Sequence, residues 1–174
     1  MYVTAAQLAD GSASLQELAE LYTLDPQLLA AVIEGESTGT WPTGEVAAAM
    51  MAVSSIERFA QQATAEVDAR LAQRGYALPL DPAQFQILVV WARAIARYHL
   101  HRQRDRTSEE TGRIERDYRD AQRALDLVAA GKLSLGANDP LLPASANPAA
   151  VDAGGSVRIT SNPRMFGRNS LGRL

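Results

Sequence analysis

The chain has 174 residues and a formal net charge of −3, a size that suits one domain plus an appendage. It contains no cysteine, which excludes a disulfide scaffold, thiol catalysis and cysteine-based zinc sites and leaves the redox compartment open. No apolar run approaches the roughly 18 residues of a membrane span, and the first residues lack the basic-then-apolar layout of a signal peptide, so we expect a soluble protein made in the cytoplasm.

Charge is distributed unevenly along the chain. The first 57 residues carry eight acidic side chains and no basic one. The last 22 residues carry Arg158, Arg164, Arg168 and Arg173 and no acidic side chain. This polarity suits head-to-tail self-association or docking onto an acidic partner, and it is equally consistent with a solvated surface that binds nothing.

Three short helices are predicted in the N-terminal region. The capping-box pattern occurs at residues 4–7 and again at residues 14–17, and each pattern opens a helix. Asp25 followed by Pro26 begins a third helix, which Gly35 weakens and the glycines and proline at 39–44 end. These short amphipathic helices need a larger element to pack against.

A long helix is predicted over residues 45–74. Apolar side chains between Val46 and Leu71 keep helical spacing for about eight turns, and Gly75 is placed to cap the helix in a left-handed conformation. Met50 and Met51 are interpreted as core filler rather than as a binding surface.

The core helix is predicted over residues 81–104, beginning with the helix-start pair Asp81 and Pro82. Two apolar stripes cover much of its circumference, so we expect other helices to surround it. One stripe contains Phe85, Leu88, Val89, Ala92, Ile95, Ala96 and His99, and the other contains Ile87, Val90, Trp91, Ala94 and Tyr98. Its last two turns are mostly basic, which suits the negative end of a helix dipole and favours a structural role for these side chains.

A third long helix follows a capping-box pattern at Thr107 and Glu110 and ends at Gly131. Its apolar side chains recur at helical spacing from Ile114 to Val128, while the opposite side alternates basic and acidic residues. The predicted fold class is all-α: an antiparallel bundle of three long helices with short N-terminal helices, forming a domain over residues 1–136.

The remainder is predicted to be a linker over residues 137–156 and an extended C-terminal tail over residues 157–174. The linker is poor in large apolar side chains, and the tail begins with one short β-strand at residues 157–160. We expect the tail to dock onto a neighbouring chain; the alternative is that it folds back on its own bundle. The candidate partner-binding residues are Val157, Arg158, Ile159, Arg164, Met165, Phe166, Arg168, Leu171 and Leu174.

Catalysis, cofactor binding and metal binding are not expected. The sequence shows no phosphate-binding loop, dinucleotide fingerprint, nucleophile elbow or zinc-protease motif. His99 and His101 are about 200° apart around a helix, so they cannot hold one metal ion together. Each is interpreted as a structural histidine.

Several stretches together resemble the Mu gene product thirty-six family of phage and prophage proteins. The stretches are residues 2–8, 66–71, 75–80, 95–100, 131–136, 157–161 and 163–171. Residues 35–62 and 137–156 do not match the family pattern. The resemblance implies a structural virion protein at the head–tail junction, with cytoplasmic assembly, no membrane contact and DNA only as the genome passing through a channel.

By analogy with connector proteins, the implied partners are further copies in a ring of twelve subunits, the portal protein, and a tail-side connector or stopper protein. The alternative function is a DNA-binding or regulatory helical protein that uses the arginines between Arg93 and Arg123. Interleaved acids and the acidic net charge count against that alternative, because a nucleic-acid footprint is usually a clustered basic surface.

Overall fold

Six helices make up the part of the chain that the computed structural model describes, which comprises residues 1–102, 109–136 and 139. In chain order they are α1 (Ala5–Leu8), α2 (Ser12–Tyr22), α3 (Pro26–Glu34), α4 (Thr43–Arg74), α5 (Gln86–Arg102) and α6 (Glu109–Ala129). The predicted all-α class is confirmed for these residues. Within them, no helix is long and apolar enough to cross a membrane.

The three long helices α4, α5 and α6 each pack against the other two, and the core lies between them. Fully buried side chains come from every one of them, for example Leu71 on α4, Ile95 on α5 and Leu125 on α6. Each such side chain contributes about 1.5 to 3 kcal/mol through removal of apolar surface from water. Helices α1 and α3 pack on α4, and α2 packs on α3, so the short helices are held on the larger element as predicted.

The structure shows one of the three capping boxes that the sequence predicts, and the box at Thr107 and Glu110 begins outside the described residues. Thr4 Oγ1 accepts a hydrogen bond from the Gln7 amide at 3.2 Å, and Gln7 Oε1 accepts one from the Thr4 amide at 3.0 Å. The box predicted at Ser14 is wrong, because α2 begins at Ser12 after Gly11 and has no side-chain cap. The Glu17 carboxylate, which would complete that box, binds side chains of α5 instead.

Two glycines end helices in the left-handed conformation. Gly75 has φ +94° and caps α4, as predicted. Gly35 has φ +72° and ends α3 outright, where the sequence predicts only a weakening. A residue without a Cβ adopts this conformation at little steric cost.

Helix α4 buries one stripe, and the two methionines do not belong to it. The stripe consists of Ala49, Ala52, Ile56, Phe59, Ala60, Ala63, Val67 and Leu71. Met50 is 57% exposed and Met51 is 69% exposed. The interpretation of these side chains as core filler is therefore wrong, because positions 50 and 51 follow Ala49 by about 100° and 200° around the helix.

Helix α5 begins later than predicted and is covered on fewer sides. Asp81 and Pro82 open a separate turn, in which the Asp81 carboxylate accepts from the Ala83 amide at 2.9 Å, and the helix itself starts at Gln86. The first apolar stripe is largely buried. The second is not, since Ile87 is 44% exposed and Val90 is 59% exposed. The expectation that other helices surround α5 is therefore wrong on this side of it.

The predicted linker and tail lie outside the described residues except for Asp139. The strand at 157–160 and the domain boundaries at 136 and 156 accordingly stay predictions.

Candidate interaction surfaces

The residues predicted to bind a partner cannot be placed on a surface of the fold, since all of them lie between 157 and 174, outside the described part of the chain. The described residues offer two kinds of feature instead. One is a set of buried polar contacts that fixes the helices to one another, and the other is a pair of exposed apolar surfaces.

Glu17 on α2 is the centre of a charged cluster with two side chains of α5. Its carboxylate accepts two hydrogen bonds from Arg97, at 2.8 Å from Nε and 2.5 Å from Nη2, and it also contacts His101 Nε2. The Glu17 side chain is 14% exposed and the His101 side chain is 6% exposed. Burial alone raises the pKa of the Glu17 carboxyl, but the hydrogen bonds from His101 and Arg97 outweigh it and lower the pKa to about 2. The cluster therefore holds α2 on α5 throughout the neutral pH range.

Glu66 on α4 makes a second contact of this kind. Its Oε1 lies 2.7 Å from His99 Nε2, and its Oε2 accepts from Gln122 Nε2 at 3.2 Å. Beside it, the rings of Tyr98 and Tyr118 stack with centroids 3.9 Å apart. All three long helices are thus joined at one level by polar and aromatic contacts.

The two histidines consequently face different carboxylates on different helices, in keeping with their angular spacing. Over the described ranges, no three His, Cys, Asp or Glu side chains are arranged to hold a metal ion.

Tyr2 fixes the N-terminal segment to α4. It is 1% exposed, and its hydroxyl donates to Asp68 Oδ1 at 2.6 Å while accepting from the Leu80 amide at 3.4 Å. Its own amide donates to Thr64 Oγ1 at 3.2 Å. Burial, together with the bond to the Asp68 carboxylate, raises the pKa of the Tyr2 phenol, so the hydroxyl stays a donor at neutral pH.

Residues after α6 return to the end of α4. The Leu135 amide donates to the Tyr76 hydroxyl at 3.2 Å, and Arg74 Nη2 donates to Asp139 Oδ2 at 3.1 Å, where the Asp139 side chain has no exposed surface. Gly131 has φ +72°, and a Cβ added there would overlap the Arg74 guanidinium. These contacts bring together stretches that carry the family resemblance, at 75–80 and 131–136.

The first exposed apolar surface is the α4 ridge, which we define as Met50, Met51, Ser54 and Ser55. A shallow cavity of about 340 Å³ lies on it, and Arg58 stands at its end, one turn further along the helix. Small side chains around two methionines permit the close approach of another helix, and methionine adapts its shape to irregular surfaces.

The second exposed apolar surface is the α5–α6 groove, a cavity of about 460 Å³ between these two helices. Its floor is apolar and consists of Val90, Trp91, Ala94 and Ala121. Arg93 and Arg97 border it on the α5 side, and Asp117 and Asp120 border it on the α6 side. An apolar floor with charged borders is typical of a surface that accepts a helix from another chain.

Neither surface follows from the sequence patterns, which assign the methionines and Val90 to the core. The angular position of Met50 and Met51 relative to the buried stripe is a signal that could have identified the ridge. No comparable sequence signal identifies the groove. Its borders come from α5 and α6, and the pattern of neither helix predicts how the two lie relative to each other.

Among the arginines considered for DNA binding, four pair with carboxylates of the described residues, namely Arg93, Arg97, Arg119 and Arg123. Arg93 lies 3.7 Å from Asp10, and Arg119 lies 2.6 Å from Glu115. Arg97 binds Glu17 as described above. Each pair reduces the positive charge available to phosphates, so the described residues add no support for a nucleic-acid surface.

The comparisons with known proteins give one finding. No curated protein and no solved structure matches the chain significantly. The model of a family described as "Bacteriophage Mu, Gp36" matches residues 2–153. The matched range includes residues 35–62 and most of 137–156, the two segments that do not fit the resemblance, and it stops before the predicted docking tail. The contacts of Tyr2 and Tyr76 bring separate stretches of the matched range together in the fold. Because the match spans most of the chain, the protein belongs to the Bacteriophage Mu, Gp36 family.

Proposed function

We propose that this protein is a structural virion protein of the head–tail junction, a connector subunit that assembles as a ring on the portal of a tailed phage. Membership of a bacteriophage family over residues 2–153 is the observation that carries the proposal. The role is structural rather than catalytic, requires no cofactor, and gives DNA no part beyond passage through the channel.

The exposed surfaces of the fold support assembly into a ring. A closed ring needs two unlike surfaces on each subunit, one for each neighbour. The α4 ridge and the α5–α6 groove differ in shape and in charge, and they belong to different elements. The proposed subunit is an antiparallel bundle of α4, α5 and α6, and the proposed ring has twelve members by analogy with connector proteins.

The proposed partners beyond the ring are the portal protein and a tail-side connector or stopper protein. We assign the contact with the portal or with an adjacent subunit to the tail at 157–174. Phe166 between Arg164 and Arg168 has the composition of an interaction hot spot. Burial of Met165 and Phe166 contributes about 1.5 to 3 kcal/mol each.

Native mass measurement of the purified full chain, alone and mixed with portal protein, tests this proposal. The expected result is a complex that contains a ring of this chain on the portal ring. A chain that stays monomeric in the presence of portal, and in particles isolated from infected cells, would remove the basis of the proposal.

Deletion of residues 157–174 separates the docking role of the tail from a role in folding. The truncated chain is expected to keep its melting temperature and to be lost from the portal complex. A marked loss of stability with assembly retained would show instead that the tail folds back on its own bundle.

A further inference from the structure

We infer that the α4 ridge of one subunit inserts into the α5–α6 groove of the next copy of this chain, and that this contact propagates around the ring. The inference rests on the proposed function, because it names the surfaces through which that ring closes. It commits to a second copy of the chain as the occupant of the groove.

Part of α4 extends past its partner helix α5. Helix α4 has 32 residues and is about 48 Å long, whereas α5 has 17 residues and is about 26 Å long. The additional turns at the start of α4 bury Ala49 and Ala52 on one side and leave Met50 and Met51 bare on another. A helical ridge that one domain leaves uncovered has the form of the helix-in-groove mode of recognition.

The ridge and the groove are complementary in shape and in polarizability. The groove volume of about 460 Å³ is large enough for two methionine side chains, and its floor includes Trp91. Methionine sulfur makes favourable contacts with aromatic rings, and its flexible side chain fills a cavity of irregular outline. Ser54 and Ser55, one turn further along α4, are small enough for the helix backbone to approach the groove closely.

The ridge and the groove are also complementary in charge. Arg58, at the end of the ridge, contacts Ser55 Oγ at 3.4 Å and the ring of Phe59, but no carboxylate in the described part of the chain. Asp117, at the border of the groove, is exposed and forms no ion pair with any described residue. Insertion of the ridge brings Arg58 next to Asp117. The ion pair that they form fixes the direction in which α4 lies along the groove.

A two-fold contact between copies explains these features less well. Ridge against ridge would bury the methionines but leave Asp117 and the groove unoccupied. Groove against groove would leave the methionines of the ridge exposed to water. Only ridge into groove uses both surfaces, and because it is a contact of unlike surfaces it continues from subunit to subunit.

Cross-linking between single introduced cysteines tests the inference directly, since the natural chain has none. Full-length Ser54→Cys and Val90→Cys chains, one of them enlarged by a tag, are mixed in concentrated solution and on portal rings and treated with a short bis-maleimide. The expected product is the mixed dimer of unequal chains, in several-fold excess over either homodimer. Gln73→Cys, exposed on the last turn of α4, serves as the matched control and is expected to give no mixed dimer with Val90→Cys.

A second measurement does not depend on cysteines. Arg58→Glu and Asp117→Arg are each expected to weaken association by about two- to fivefold, as exposed ion pairs do, and the double variant is expected to restore it. Excess of a homodimer, or additive weakening in the double variant, would overturn the inference. A ring on the portal without the mixed cross-link would refute this contact alone, whereas the absence of any ring would refute the proposed function as well.

Discussion

Substitution of Glu17 by Gln is expected to destabilise the fold and to change its response to acid. In the folded chain, hydrogen bonds from His101 and Arg97 lower the pKa of the Glu17 carboxyl from its ordinary value of 4.5 to about 2. That difference corresponds to about 3 kcal/mol of folding free energy at neutral pH. Because the folded pKa lies below the unfolded one, this stabilisation is present above pH 4.5 and is lost as the pH falls towards 2. The glutamine variant lacks the titrating group, so its deficit relative to the natural chain should be about 2 to 3 kcal/mol at pH 7 and should shrink in acid.

Urea denaturation followed by far-ultraviolet circular dichroism, repeated between pH 7 and pH 2, measures this difference. Glu36→Gln is the matched control, since Glu36 is exposed in a loop and its substitution should change the unfolding free energy by less than about 0.5 kcal/mol. The reasoning fails if the two variants have equal stability at pH 7, or if the deficit of Glu17→Gln stays constant down to pH 2.

Three further predictions concern single positions. Tyr2→Phe removes a buried hydroxyl that donates to one carboxylate and accepts from one amide, so urea denaturation should show a loss of about 1 to 3 kcal/mol, and an unchanged midpoint would contradict the hydrogen-bonding role. Gly131→Ala should lower the melting temperature, because Gly131 has a positive φ and the added Cβ would overlap the Arg74 guanidinium. The control Gly112→Ala, inside α6 with open space around it, should raise stability by about 0.5 to 1 kcal/mol. Equal effects of the two substitutions would show that the overlap is relieved at no cost. Added zinc or a chelator should leave the melting temperature unchanged because His99 and His101 bind separate carboxylates, and a rise of several degrees with zinc would reveal a site that they share.

Local signals predicted the helices well where the backbone decides the outcome. The side chains of Thr4 and Asp25 cap the starts of α1 and α3 by accepting hydrogen bonds from nearby backbone amides, as predicted. Gly75 ends α4, also as predicted. The prediction at Ser14 failed for a reason that no local pattern contains. Its partner Glu17 gains more from a cation-rich turn of α5, 80 residues away, than from a backbone amide in its own helix.

Burial could be predicted for side chains in the centre of an apolar stripe but not for apolar side chains at the edge of one. The stripe of α4 is a property of helical periodicity, so Val67 and Leu71 could be assigned to the core from spacing alone. Whether Val90 is buried depends on which helices lie beside α5, and its apolar character does not reveal that. The groove that Val90 lines forms only when α5 and α6 pack together, so neither helix predicts it alone.

The contacts of Glu17 also bear on the order in which the chain folds. They close loops of 80 and 84 residues, whereas α4, α5 and α6 follow one another along the chain and can pack with shorter loops. Since loop closure costs entropy before long-range contacts repay it, the N-terminal helices should dock after the three long helices have formed. Loss of the Glu17 cluster would then accelerate unfolding and leave the refolding rate almost unchanged. In the native protein, helices α1, α2 and α3 would be the first part to open and the last to close.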